Sequence, residues 1–204
     1  MLRLQHIDEL LRAQHSFLTD EDRCFFLREY TAGAGYAHGE TNSLISNLKK
    51  PVDRRDRPEW RYKEAAIDQA ARELRAAIPE ATLRAATIVP IPPSKSRANP
   101  LYDDRMTRIA RAMTDGDVRD LVVQPRDMAA AHVAATRPRP DDWYAAYAID
   151  ETLAVPAPTR VLLLDDVLTA GAHFAAAKRR VNERFPDAIV FGVFYARRAV
   201  QDSV

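Results

Sequence analysis

The sequence predicts an α/β fold, a parallel sheet flanked by helices, with residues 61–204 as the main domain and residues 1–60 as a mainly helical accessory layer. Three observations lead there. Short continuous apolar runs at residues 87–91, 161–164 and 188–196 have the length and branching of strands buried on both faces. Residues 60–78 and 174–185 carry apolar side chains at helical spacing. Apolar strands that alternate with helices in this way build a parallel sheet wrapped by those helices.

At 204 residues the chain has room for one domain with an elaboration, and its 47% hydrophobic content permits a substantial core. The 30 Lys and Arg residues against 29 Asp and Glu leave no surplus that would draw the chain to nucleic acid or an acidic membrane surface. One cysteine, Cys24, excludes an intramolecular disulfide framework and a cysteine-cluster zinc site, and it fits a reducing compartment. The first residues have scattered charges and no long apolar core, so neither a signal peptide nor a membrane anchor is expected, and the location expected is cytoplasmic.

Taken in order, Leu4, Ile7, Leu10 and Leu11 predict a packing helix over residues 2–16. Thr19 with Asp20, Glu21 and Asp22 reads as the start of a second helix running into CFFLREY. Gly33, Gly35 and Gly39 lack the spacing of a dinucleotide loop, so that segment reads as a turn between helices. Residues 51–58, charged and bounded by prolines, read as a surface loop. Ala66, Ile67, Ala70, Ala71, Leu74 and Ile78 predict a helix that Pro79 ends.

Thr87 to Ile91 predict a strand whose prolines, Pro90, Pro92 and Pro93, confine it to a sheet edge or to its own last residues. Just beyond, Ser94, Lys95, Ser96 and Arg97 offer hydroxyls and two cations, which by themselves read as a solvated basic turn. Asn99 and Pro100 then predict a helix start, with Met106, Ile109, Ala110 and Met113 on the apolar face. Leu121 to Val123 predict a strand. Residues 124–150 lack strand periodicity, and a compact domain usually reserves a loop of that length for function. Within it Trp143, Tyr144 and Tyr147 read as anchors to the core.

The most informative stretch is RVLLLDDVLTAGAH, residues 160–173. A buried strand runs into two acids, then a small-residue loop that starts a helix. Ligands of open α/β sheets bind beyond the carboxyl ends of strands, where helix-start amides favour a phosphate and paired acids suit hydroxyls. The plainer reading is a buried strand followed by two capping acids.

This stretch resembles the signature of type I phosphoribosyltransferases: apolar run, two acids, Val or Ile, any residue, Thr, small, Gly, any residue, Thr or Ser. Residues 161–171 satisfy it, and His173 stands where a hydroxyl is usual. The resemblance implies that Asp165 and Asp166 hold the ribose hydroxyls of phosphoribosyl pyrophosphate (PRPP). It implies that Thr169, Ala170, Gly171, Ala172 and His173 take its 5-phosphate. The segment VPIPPSKSR, residues 89–97, is similar to the Val-Pro-x-Pro, Ser, Arg pattern of ComF-like members and implies a pyrophosphate site at Ser94, Lys95, Ser96 and Arg97. Tyr36, Gly39, Leu44, Ile45, Leu48, Lys49 and Lys50 resemble the ComF-like segment read as a hood over the acceptor, without its zinc-binding cysteines. Arg105 stands near the family's Arg-Gly-Phe-Asn, of which the last three residues are missing.

The resemblance further implies a closing loop whose basic residue is Arg137, with Arg126 and Arg139 as weaker matches, and a catalytic set of Asp165, Asp166 and Arg137. Arg197 and Arg198 would lie near the base. Magnesium is expected to be held through substrate and not by a direct protein ligand. The implied activity is transfer of the 5-phosphoribosyl group to a small nitrogen acceptor, a nucleobase, with release of pyrophosphate, in a homodimer. The alternative is a PRPP- or nucleotide-binding regulator, or a ComF-like partner protein, that performs no transfer.

Overall fold

Strands form where apolar side chains run continuously and helices where they recur every third or fourth residue. A computed structural model describing residues 2–127 and 138–199 follows that division over most of the chain. The N-terminal part contributes β1 (Gln5–His6), α1 (Glu9–Arg12), β2 (Cys24–Thr31), α2 (Glu40–Leu48), α3 (Trp60–Ala77) and α4 (Glu80–Ala85). There follow β3 (Thr87–Pro90), α5 (Arg105–Met113), β4 (Val122–Val123), α6 (Pro140–Ala146) and β5 (Ala148–Ile149). The last elements are β6 (Arg160–Leu168), α7 (Ala172–Arg184) and β7 (Ile189–Ala199).

The result is an α/β fold whose central sheet has five strands in the order β1-β2-β7-β6-β3, with helices on both faces. All pairings are parallel except β1 with β2. β4 and β5 form a separate antiparallel pair. Successive side chains of a strand point to opposite faces, so β6 divides the core. Leu162 and Leu164 pack with α2, α3 and α5, while Val161 and Leu163 pack with α6 and α7. All four are fully buried, and each contributes about 1.5–3 kcal/mol of apolar transfer. β3, which ends at Pro90, is an edge strand of the central sheet.

Three segments depart from expectation. Residues 2–16 are not one helix: α1 is a single turn, Leu10 lies 82% exposed, and Ile7 is buried because its amide bonds to the Cys24 carbonyl beside β2. CFFLREY is strand, not helix. Asp22 does not cap a helix there; its carboxylate closes a turn on the Thr19 amide at 2.7 Å and pairs with Lys178 of α7 at 2.6 Å. The N-terminal part is thus not mainly a helical layer, since β2 lies inside the sheet against β7. The helix predicted from Asn99 starts instead at Arg105, because the Asn99 side chain accepts the Leu101 amide in a local turn and donates to Asp127. Within residues 124–150, Pro140 to Ala146 form a helix that the proline content obscured.

Among the described residues no helix is long and apolar enough to cross a membrane.

Candidate functional site

β3 ends at Pro90 opposite Leu164, and the Ile91 amide makes the last bond to β6, on the Leu164 carbonyl at 2.9 Å. One residue farther along β6 stand Asp165 and Asp166, still paired with β7 on their other side. The acids therefore sit where one neighbouring strand has turned away, which opens a crevice at the carboxyl end of the sheet. A cleft of about 530 Å³ occupies this place. Lys49, Ser94, Lys95, Arg105, Thr169 and His173 line it together with the two acids.

Alternation along β6 sends the acids to different surroundings. Asp166, 3% exposed, shares the parity of Leu162 and Leu164 and meets the helices of that face. Arg105, the first residue of α5, donates to its Oδ2 from Nε at 2.9 Å and Nη2 at 2.6 Å, and Lys49, just after α2, lies 3.3 Å from Oδ1. Burial pushes the Asp166 carboxyl up, but Arg105 and Lys49 outweigh it and hold it well below the usual carboxylate range. Among the described residues Asp165 has no such cation in hydrogen-bond contact; its Oδ1 accepts the Asp166 amide at 2.8 Å. Burial and the neighbouring Asp166 charge push it up to about 7. Adjacent carboxylates are thus separated in acidity, one fixed as an anion and one able to exchange a proton near neutrality.

Arg105 is itself positioned. Its Nη1 donates to Asp103 at 2.7 Å, and Asp103 accepts from Lys63 at 2.7 Å. Lys63 is 1% exposed and spends its other donors on the Leu48 and Lys50 carbonyls, so it ties the end of α2 to the approach to α5. Lys49 and Arg105 face Asp166 from two helices because this buried lysine fixes both.

The small-residue loop leads from β6 into α7. Gly171 adopts φ +91°, a left-handed conformation that glycine takes at least cost, and an added Cβ would meet Leu18 Cδ2 at 3.0 Å. The N-terminal segment braces this loop from outside. The Phe17 amide donates to the Ala170 carbonyl at 2.9 Å, and His15 Nδ1 donates to the Thr169 carbonyl. His15 is fully buried with Nε2 unpartnered among the described residues, and burial pushes its pKa down, so it is neutral.

No protein-family model matches this chain, and no curated protein matches it.

Of the residues singled out from sequence, the structure brings Ser94, Lys95, Asp165, Asp166, Thr169 and His173 to one cleft. Ala170, Gly171 and Ala172 form the turn behind it and the start of α7. Ser96 and Arg97 turn away: the Ser96 amide donates to Asp127 at 2.7 Å, and Arg97 pairs with Asp120 at 2.9 Å. Arg137 lies outside the described residues. Arg197 is buried against Glu29 at 2.5 Å and Gln14 at 2.8 Å, away from the lining of the cleft.

Sequence reasoning underrated Arg105 and Lys49 and did not notice Asp103, Lys63 or His15. Conservative spacing gives no clue to a relay whose members come from three helical segments. The one available signal was an Arg directly after two acids, Asp103 and Asp104, at a helix start.

Proposed function

We propose that this protein is a type I phosphoribosyltransferase that binds PRPP and transfers its 5-phosphoribosyl group to a nitrogen acceptor, a nucleobase, with release of pyrophosphate. One observation carries the reading. Ser94 and Lys95 after β3 and the acid pair of β6, far apart in sequence, line one cleft because their strands are parallel neighbours. Lys95 and Lys49 offer cations on the same cleft, and burial beside Asp166 pushes the Asp165 carboxyl toward its uncharged form.

In this reaction the bond between C1 of ribose and the pyrophosphate oxygen breaks, its electron pair leaves with pyrophosphate, and the acceptor nitrogen bonds to C1. Lys95 stabilises charge developing on the leaving group. The acids orient the ribose and favour its cationic character. Asp165 receives the proton that the acceptor nitrogen sheds, a role that suits a carboxylate of pKa about 7. The loop at Thr169 to Ala172 holds the 5-phosphate; the resemblance would give Arg137, outside the described residues, to the pyrophosphate.

Magnesium would be held through the substrate oxygens and not by a direct protein ligand, and it would supply neutralisation of pyrophosphate charge. Asp165 is thereby left to the acceptor proton, while Asp166 is committed to Arg105 and Lys49.

That commitment of Asp166 favours a second reading, a cytosolic PRPP sensor that binds without transfer. Titration calorimetry of magnesium-PRPP into the wild type and the Asp165→Asn, Asp166→Asn double variant tests binding, and a pyrophosphate-release assay across nucleobases tests transfer. Binding that the double variant loses, with release by the wild type, supports the enzyme. Binding without release supports the sensor, and a folded wild type that does not bind sinks both.

A further inference from the structure

Tyr147 is 2% exposed, and among the described residues its hydroxyl has one hydrogen-bond partner, His173 Nδ1 at 2.9 Å. A phenol has one proton to donate, and burying it without an acceptor costs about 1–3 kcal/mol. Burial pushes the Tyr147 phenol well above its ordinary range, so the proton stays on oxygen at neutral pH. Nδ1 therefore accepts. A neutral imidazole carries one proton, which then resides on Nε2. The ring is neutral because burial pushes His173 down to about 4.

The ring is also held in place. Trp143 lies against its face with centroids 3.8 Å apart, and His173 lines the cleft in the first turn of α7. Nε2 makes no hydrogen bond to any described residue. Asp166, Lys49 and Arg105 act on the ring through their charges, Asp165 acts on Tyr147 in the same way, and none of the four bonds to the ring.

We propose that Tyr147 locks His173 in the Nε2–H tautomer, making it a neutral, donor-only group on the cleft that recognises an unprotonated oxygen of a phosphate monoester. The identity of the ligand rests on the reading of the cleft as a PRPP site; the tautomer does not. A hydroxyl at this position could donate to an unprotonated phosphate oxygen or accept from a protonated one. The Nε2–H group can only donate, so it takes an unprotonated oxygen and cannot accept from a P–OH. Tyr147 acts through His173 and is a positioning residue.

The test is nitrogen-15 NMR of protein labelled in its histidine side chains, with the His173 signals assigned by their loss in His173→Gln. The wild type at pH 7 should show the Nε2–H tautomer alone, and Tyr147→Phe should show a mixture. A wild-type Nδ1–H tautomer, an imidazolium, or an unchanged spectrum in Tyr147→Phe would overturn the lock. Ribose 5-phosphate is then titrated into the same samples. Its binding should shift the Nε2 signal. His173→Gln, whose amide N–H stands near the place of Nε2–H, should keep the affinity, and His173→Asn should weaken it about tenfold, as loss of one hydrogen bond to an anion implies. Binding that leaves the Nε2 signal and the His173→Asn affinity unchanged refutes the donor role and spares the PRPP reading. Absence of ribose 5-phosphate binding, with the tautomer as expected, refutes the ligand assignment and counts against the PRPP reading while leaving the lock intact.

Discussion

Adjacent acids of β6 should respond to the same substitution in opposite ways. Asp165 has its pKa raised from 3.8 to about 7, so between those values the folded protein binds more protons than the unfolded chain, and stability falls as pH rises through that window. At pH 8 the buried charge is a cost, bounded at about 4 kcal/mol by roughly 1.4 kcal/mol per pH unit. Asp165→Asn removes the charge and keeps an oxygen for the Asp166 amide. Allowing for solvent at the cleft mouth, the gain is about 1–3 kcal/mol, or roughly 2–12 °C in Tm for a chain of this size. Asp166 has its pKa lowered, so its contribution is present above the unfolded carboxylate value and is lost as pH falls through the lower native one. Asp166→Asn takes the charge partner from Arg105 and Lys49. Asp103 still holds Arg105, and the carboxamide oxygen still accepts, so the loss is about 2–4 kcal/mol. Calorimetric melts of both variants at pH 5 and pH 8 check this. The Asp165→Asn gain should vanish at pH 5, where the wild-type acid is protonated. Destabilisation by both variants at pH 8, or a gain at pH 8 that persists undiminished at pH 5, would refute the assignment of charge states.

Other consequences are simpler to measure. Gly171→Ala forces a side chain into a left-handed position against Leu18, costs about 1–2 kcal/mol, and should weaken magnesium-PRPP binding in calorimetry more than its Tm shift alone suggests. His15→Asn keeps a donor where Nδ1–H stands and should retain PRPP affinity, whereas His15→Leu frees the Thr169 carbonyl and should weaken it, both judged by titration. Lys63→Met leaves two carbonyls without their donor and Asp103 with Arg105 alone, and should cost about 2–4 kcal/mol in urea melts. Lys95→Ala should abolish pyrophosphate release without moving Tm, since Lys95 makes no ion pair among the described residues.

The site's two poles were legible because each is a local pattern. An apolar run, two acids and a small-residue loop are contiguous, and so is the proline-bounded SKSR segment after its strand. The α3 and α7 helices were legible from period, with Leu74 and Val181 fully buried as expected. What failed depends on partners far along the chain. Thr19 and Asp22 carry the chemistry of a helix cap, but the carboxylate is spent on a turn and on Lys178. CFFLREYT has no period that distinguishes a helix from a strand buried on both faces, and β7 decides the matter. Arg105 could not be assigned because its bond to Asp166 exists only after α5 has packed on β6.

The pairing of β2 with β7 also sets an order of events. Cys24 lies opposite Gly192 and Thr31 opposite Ala199, so an early segment finds its parallel neighbour only in one of the last segments described. Closing so long a loop costs entropy before any contact rewards it, and sheets built this way fold slowly. During synthesis β2 leaves the ribosome long before β7, with Phe26 and Leu27 and only the two residues of β1 to pair with. The brace that His15 and Phe17 place on the Ala170 turn lies next to β2, so the turn gains its shape as the sheet closes. Assembly of the cleft is therefore a late step of folding, and a chain stalled before β7 would display the acid pair without the geometry to use it.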